Sequence, residues 1–174
     1  MGKRFVAMVV CPTLCLISGS GVALAESVGR WECNVVGTAS QDPIGDRDGH
    51  RLVSFQYSCF GVDGLLKDTV YTASGISEWD GSQGKYLSAG GIVRAPGGLA
   101  VTQITEAIGS VVMKDGKPAG TVTSGKAQFT FASGTLSALS IRPVKFESKP
   151  ISAGRFGIEV TTDNEPGGAQ AHQQ

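Results

Sequence analysis

The feature that most constrains the fold is a regular alternation of short β-favouring runs and Gly-rich turns. Between residues 29 and 162, runs rich in Val, Ile, Thr and aromatic residues are separated by clusters of Gly, Pro, Asp and Ser. A helix would need apolar residues three and four positions apart, and the β-branched residues and the 25 glycines are too dense for that spacing. The pattern therefore predicts an all-β domain with about eight antiparallel strands.

The turns favour one way of arranging these strands. In the second half of the chain the runs are joined by tight turn signals, such as Asp80-Gly81, Asp115-Gly116 and Ser133-Gly134. Greek-key folds need some long crossing connections, whereas consecutive hairpins produce a meander that can close and remove its exposed edges. We predict a single antiparallel up-and-down β-barrel over residues 26–162, with a β-sandwich as the alternative.

The first residues have the pattern of an export signal. Lys3 and Arg4 precede an apolar run over residues 5–17, and Ala23-Leu24-Ala25 has the small-x-small form of a cleavage site. This predicts a signal peptide over residues 1–25 and an exported protein, either periplasmic or secreted. The apolar run is too short for a comfortable membrane span, and no later run reaches the required length. We therefore expect no membrane span.

Charge and the C-terminal composition limit the classes of partner. Lys3 and Arg4 are two of the 15 basic residues, and there are 15 acidic residues, so the predicted mature chain has a net charge of −2. No basic stripe is present that would indicate a nucleic-acid partner. Residues 163–174 are rich in Pro, Gly and Gln, and we predict a disordered tail there.

Two cysteines remain once the predicted signal is removed. Cys33 and Cys59 lie in the first two predicted strands, and in an oxidising compartment they would form one disulfide. In the chain-entropy model, closing a loop of about 26 residues is worth about 3 kcal/mol. A redox pair or a metal site are the alternatives, but there is no Cys-x-x-Cys motif and His50 is the only nearby histidine.

Glu106 is the leading candidate for a functional carboxylate. Strict alternation places it in an otherwise apolar row on the strand 99–114, where burial would raise the pKa of the carboxyl group and let it act as an acid or a hydrogen-bond anchor. That row is Ile104, Glu106, Ile108 and Val112. The alternatives are that the row faces outward, or that Glu106 pairs with Arg142. The opposite row is also apolar enough to be the interior, and comprises Val101, Ala107, Val111 and Met113.

Three aromatic residues form the second candidate site. Tyr71, Trp79 and Tyr86 flank the Asp80-Gly81 hairpin, and aromatic side chains at a barrel mouth can stack on a flat ligand. The alternative interpretation is that they only fill the core.

Motifs for catalysis, metals and cofactors are weak. Residues 46–50 place Asp46 and Asp48 before a glycine, as in a calcium loop, but lack the third early ligand and the late bidentate Glu. No Gly-x-Ser-x-Gly motif is present, and no histidine is placed to complete a triad. We therefore predict no metal site and no cofactor, and we favour a function other than catalysis.

Two local patterns resemble known barrels. Gly29-Arg30-Trp31 is similar to the Gly-x-Trp near the start of calycin barrels such as the lipocalins. Residues 75–94 resemble a repeated hairpin of allene oxide cyclase-like barrels and related small secreted bacterial proteins, through Gly75, Trp79, Gly81, Gly84-Lys85-Tyr86 and Gly90-Gly91. The resemblance implies an eight-stranded barrel, often with a cavity. It carries no activity to this chain, because no cyclase site residue can be matched one by one.

These observations leave three functional hypotheses. The first is a binding module whose barrel holds a small apolar or aromatic ligand near Glu106, Tyr71, Trp79 and Tyr86. The second is an enzyme of the cyclase or isomerase type that uses Glu106. The third is a structural or interaction protein of the cell envelope that uses a strand edge or the loop over residues 39–49.

Overall fold

The structure is a computed structural model, and it describes residues 25–163. The predicted signal peptide over 1–25 and the predicted tail over 163–174 therefore lie outside the described residues, apart from Ala25 and Asp163. The chain forms eight strands and one short 3-10 turn at Ser137–Leu139. The strands are β1 (Ser27–Pro43), β2 (His50–Gly64), β3 (Val70–Asp80), β4 (Gln83–Ala95), β5 (Gly98–Lys114), β6 (Lys117–Gly134), β7 (Arg142–Ser152) and β8 (Arg155–Thr162).

The strands form a closed antiparallel barrel in sequence order. Each strand pairs with the next, and β8 returns to pair with β1, for example through Trp31 opposite Ile158. The predicted up-and-down barrel is confirmed, and the alternative of a β-sandwich is excluded because one sheet closes on itself.

The two ends of the barrel differ in whether their connections bury side chains. At one end, residues 65–69 join β2 to β3 and residues 135–141 join β6 to β7, and both connections contain buried residues, while β4 and β5 are joined by a two-residue turn. At the other end, the β3–β4, β5–β6 and β7–β8 hairpins each turn in two residues, and residues 44–49, which join β1 to β2, are exposed. We call the first the closed end and the second the open end.

Apolar side chains from the long connections fill the closed end. The connections contribute three buried leucines, Leu66, Leu136 and Leu139. These pack in one core cluster with buried strand residues that include Val28, Trp31, Val93, Ala100, Phe129, Ala132, Val144 and Val160. The indole Nε1 of Trp31 donates a hydrogen bond to Thr69 Oγ1 at 3.0 Å, which ties the 65–69 connection to the barrel wall. This half of the barrel is therefore a packed core and not a pore.

Three strand boundaries differ from the sequence prediction. β1 continues to Pro43, so half of the predicted polar loop over 39–49 belongs to a strand. The sequence pattern predicts strands over residues 65–79 and 136–146, but residues 65–69 and 136–141 form connections that cover the closed end. Their apolar residues resemble those of a strand because both kinds of segment bury side chains.

A β-bulge in β5 corrects the interpretation of Glu106. The pairing of β5 with β6 shifts between Ile104 and Glu106, so one residue is added to the alternation. Ile104 lines the interior and Ala107 is buried, while Glu106 between them is exposed. The inward-facing positions therefore change at the bulge: Ile104, from one predicted row, faces inward before it, and Ala107, from the other row, faces inward after it. Neither predicted row lies on one face of the barrel wall along its whole length.

A second bulge acts in the same way on β6. The register with β5 shifts between Val101 and Thr102, and Thr130 is the additional residue. Phe129 is 1% exposed, whereas Phe131 is 50% exposed on the outer wall. Simple alternation over residues 121–132 predicts that Ala127, Phe129 and Phe131 share one face, and this prediction is wrong at Phe131. The barrel axis is consequently not filled by both phenylalanines.

The predicted disulfide is confirmed. Cys33 and Cys59 lie opposite each other on β1 and β2, and their sulfur atoms are 2.04 Å apart. Both residues are buried in the core cluster. The bridge therefore fixes the register of the first hairpin from the inside of the barrel.

Candidate functional site

A cavity of about 340 Å³ occupies the half of the barrel toward the open end. Its lining comes from strands on all sides, including Val53 on β2, Val111 on β5 and Ser148 on β7. The connections at the open end, including residues 44–49, are exposed and place no side chain inside the barrel, in contrast to those at the closed end. This cavity is the best candidate for a functional site, since ligand sites are concave and mostly apolar.

Aromatic rings form much of the cavity wall. The aromatic lining residues are Phe55, Tyr57, Trp79, Tyr86, Phe146 and Phe156. Several of them contact each other edge to face, as Phe55 does with Tyr86 at 6.1 Å between centroids and Tyr57 with Phe156 at 5.4 Å. Such contacts fix the rings in place, so the wall can receive a flat apolar molecule without rearranging.

Trp79 is positioned by residues without a bulky side chain. A Cβ atom at Gly84 would lie 2.4 Å from the Trp79 ring, and one at Gly109 would lie 3.1 Å from it. The indole therefore lies flat against two neighbouring strands, and its Nε1 donates a hydrogen bond to Ser77 Oγ at 2.9 Å. Ser77 is itself buried, which explains the polar residue in the inward row of β3.

The three tyrosines of the chain lie inside the barrel as neutral phenols. Burial raises the pKa of Tyr57 well above its ordinary value, and burial also raises the pKa of Tyr71 and of Tyr86. The hydroxyl of Tyr71 shares a hydrogen bond with Thr102 Oγ1 at 2.8 Å, and that of Tyr86 shares one with Thr123 Oγ1 at 3.3 Å. These three phenols are therefore uncharged, and hydrogen bonds hold the hydroxyl groups of Tyr71 and Tyr86 in fixed positions.

The structure separates the predicted site residues. Trp79 and Tyr86 line the cavity, as the binding hypothesis requires. Tyr71 lies deeper, stacked on Trp31 at 4.7 Å between ring centroids, and it lines a smaller cavity of about 40 Å³ below. Glu106 lies on the outside of the barrel and lines neither cavity.

The cavity reaches the outside at a notch in the rim. β1 pairs with β8 only as far as Asn34, although β1 continues to Pro43, and β7 leaves β6 at Thr123. The short β7–β8 hairpin therefore leaves a gap between β1 and β6 at the open end. Residues on both sides of this gap line the cavity, namely Ala39, Gln41, Gly120, Pro150, Ser152, Gly154 and Arg155.

Arg51 is a cavity residue that sequence reasoning missed. Its guanidinium donates hydrogen bonds to the carbonyl oxygens of Gly49 at 3.0 Å and Gly81 at 3.3 Å. The guanidinium carbon lies 6.0 Å from the centroid of the Trp79 ring, which faces it across the β2–β3 pair. Its place opposite Trp79 could have been found only from the strand register.

A polar latch holds the β1–β2 connection against β3 at the open end. His50 is 7% exposed, its Nδ1 lies 2.5 Å from Asp46 Oδ1, and its Nε2 lies 2.7 Å from Glu78 Oε1. Hydrogen bonds to both carboxylates raise the pKa of His50. Beside His50, Arg47 forms an ion pair with Asp80, with 2.8 Å between Arg47 Nη2 and Asp80 Oδ2. Because carboxylates only accept, the protonated imidazole, in which both ring nitrogens donate, is the form that satisfies both contacts.

Residues 25–163 contain neither a cluster of candidate metal ligands nor a membrane-spanning helix. Within residues 25–163, no group of three or more His, Cys, Asp or Glu residues could hold a metal ion. In the predicted calcium-like segment, Asp46 contacts His50 and Arg47 instead. No helix in the same residues is long and apolar enough to cross a membrane.

Comparisons with known proteins give no match. No protein-family model matches the chain, and no curated protein or solved structure matches it. The eight-stranded antiparallel barrel is consistent with the calycin-like framework that Gly29-Arg30-Trp31 predicts. The more specific resemblance of residues 75–94 to allene oxide cyclase-like barrels stays a prediction.

Proposed function

We propose that this protein is a binding module that holds a small apolar or aromatic molecule inside its barrel. The observation that carries the proposal is the aromatic-walled cavity at the open end, which has a notch for entry and a packed floor. Its volume of about 340 Å³ is within the range of small-molecule sites. Rings that already contact each other would bind a ligand with little loss of conformational freedom.

Export is part of the same proposal. The sequence pattern of residues 1–25 supports a signal peptide, and the buried Cys33–Cys59 disulfide is typical of proteins that fold in an oxidising compartment. A binding module of the periplasm or the extracellular space would meet its ligand outside the cytoplasm.

The cyclase or isomerase alternative has lost the residue on which it rested. Glu106 is exposed, so it cannot act on a molecule inside the cavity. The polar groups that do face the cavity are neutral phenols, hydroxyls and the guanidinium groups of two arginines, which suit recognition better than proton transfer at neutral pH.

Filling the cavity from one side should abolish binding. Ser148 lines the cavity, and Glu147 is its exposed neighbour on the same strand. We expect Ser148→Trp to reduce the affinity for the neutral fluorophore N-phenylnaphthylamine by at least about tenfold, because the indole would occupy part of the site. Glu147→Trp should bind like the wild type.

Two measurements test this expectation. Fluorescence titration compares the two variants, and native mass spectrometry of the protein purified from its own envelope looks for a bound molecule. If wild-type protein fails to bind the fluorophore and carries no molecule, the binding proposal is wrong. Equal loss of affinity in both variants would also count against it, because the site would then not be the cavity.

A further inference from the structure

The charged groups of the cavity all have the same sign. Two charged side chains line it, Arg51 and Arg155, and no carboxylate does. We propose that the ligand is an amphipathic organic anion, whose apolar body lies between the aromatic walls and whose anionic group is bound by Arg51 at the open end. This inference rests on the proposed binding function and specifies the chemical class of the ligand.

Arg51 is held in place before any ligand arrives. Its two terminal nitrogens each donate to a backbone carbonyl oxygen, one at Gly49 and one at Gly81. Its Nε is buried without a hydrogen-bond partner, and its guanidinium lies beside the Trp79 ring. A guanidinium fixed in this way loses little freedom when it binds an anion, and the terminal nitrogens keep further N–H groups for that purpose.

The positive charge of Arg51 is not neutralised by an acidic neighbour. Among residues 25–163, the ion pairs include none for Arg51, and three carboxylates at the same end of the barrel pair with other cations. Asp46 and Glu78 bind His50, and Asp80 binds Arg47. A partly buried cation without a counter-ion favours an anionic ligand, because buried charges are normally paired.

Arg155 lies at the notch and supports the same preference more weakly. Its side chain is half exposed and its Nη2 lies 3.5 Å from Glu32 Oε2, so that carboxylate already offsets part of its charge. We therefore assign binding of the anionic group to Arg51, and only a longer-range attraction to Arg155.

Two fluorophores of nearly the same shape test the inference. Anilinonaphthalene sulfonate carries an anionic group that N-phenylnaphthylamine lacks. Wild-type protein should bind the sulfonate more tightly than the neutral probe. Arg51→Gln should lower the affinity for the sulfonate by at least about tenfold and leave the affinity for the neutral probe unchanged. The affinity of Arg51→Lys for the sulfonate should lie between those of the wild type and Arg51→Gln, because lysine keeps the charge. Arg94→Gln is the matched control, because Arg94 is exposed near the closed end and bonds Thr72.

The outcomes separate the inference from the binding proposal. If the neutral probe binds as tightly as the sulfonate, or if Arg51→Gln weakens both probes equally, the inference is wrong while cavity binding stands. If neither probe binds wild-type protein, the binding proposal itself fails. Should Arg51→Gln not fold, added salt gives the second measurement on wild-type protein: it should weaken the sulfonate alone, and equal salt dependence of the two probes overturns the inference.

Discussion

Single residues determine where the cavity begins and which side chains line its wall. Gly84 and Gly109 let the Trp79 ring lie flat, and the bulges beside Glu106 and Thr130 decide which neighbours face inward. Each is a local change of one side chain or one backbone position. The site therefore depends on positions that carry no chemistry of their own.

The clearest consequence at this scale concerns Gly84. A methyl group there would lie 2.4 Å from the Trp79 ring, so Gly84→Ala should destabilise the protein by about 1–3 kcal/mol through overpacking. Gly157→Ala is the control, because its Cβ would meet atoms no closer than 3.8 Å. Urea unfolding followed by tryptophan fluorescence measures both. Equal stability of the two variants would show that Trp79 can move aside at no cost.

At the scale of elements, the order and number of strands could be predicted and their inward faces could not. Turn residues such as Asp80-Gly81 have strong local preferences, so they mark the hairpins without knowledge of the rest of the fold. A bulge depends on how two strands meet, which is why alternation alone left the face of Glu106 open and predicted the wrong face for Phe131. The plugging connections were missed for a related reason, since Leu66 in a loop and Leu in a strand look alike in sequence.

The β1–β2 connection should be held more weakly as the pH rises. The pKa of His50 is raised in the folded state by its hydrogen bonds to Asp46 and Glu78. Its contribution to stability is therefore fully present below the unfolded pKa of about 6.5 and is lost as the pH rises through the higher folded pKa.

Unfolding measured across this pH range should show the effect. Wild-type protein should lose stability relative to His50→Gln as the pH rises, because the variant has no imidazole to titrate. His172→Gln, outside the described residues, controls for the other histidine and should keep the wild-type dependence. A constant difference between wild type and His50→Gln at every pH would mean that His50 is not charged in the latch.

At the scale of the whole molecule, the barrel divides into a packed half and a hollow half. The packed half contains the disulfide, the plugging leucines and Trp31, and it accounts for most of the buried core. The hollow half is bordered by short turns and by the latch. The proposed binding site therefore lies in the half of the sheet away from most of the buried core.

All three tyrosines should resist ionisation as long as the barrel is closed. Their raised pKa values mean that tyrosinate absorbance in native protein should appear only at a pH above the ordinary value of about 10. The unfolded chain deprotonates first, so stability should fall as the pH rises past that value. An ultraviolet titration of native and urea-unfolded protein tests this. Native tyrosines that titrate together with the unfolded ones would show that water and hydroxide reach the interior.

Because the closed end is packed, the cavity of the barrel opens to solvent only toward the open end. A ligand of the proposed binding module would therefore enter and leave through the same opening at the notch. A second ligand molecule could therefore bind only after the first had dissociated. A ligand longer than the hollow half would extend beyond the rim, where its outer end would be accessible to another protein.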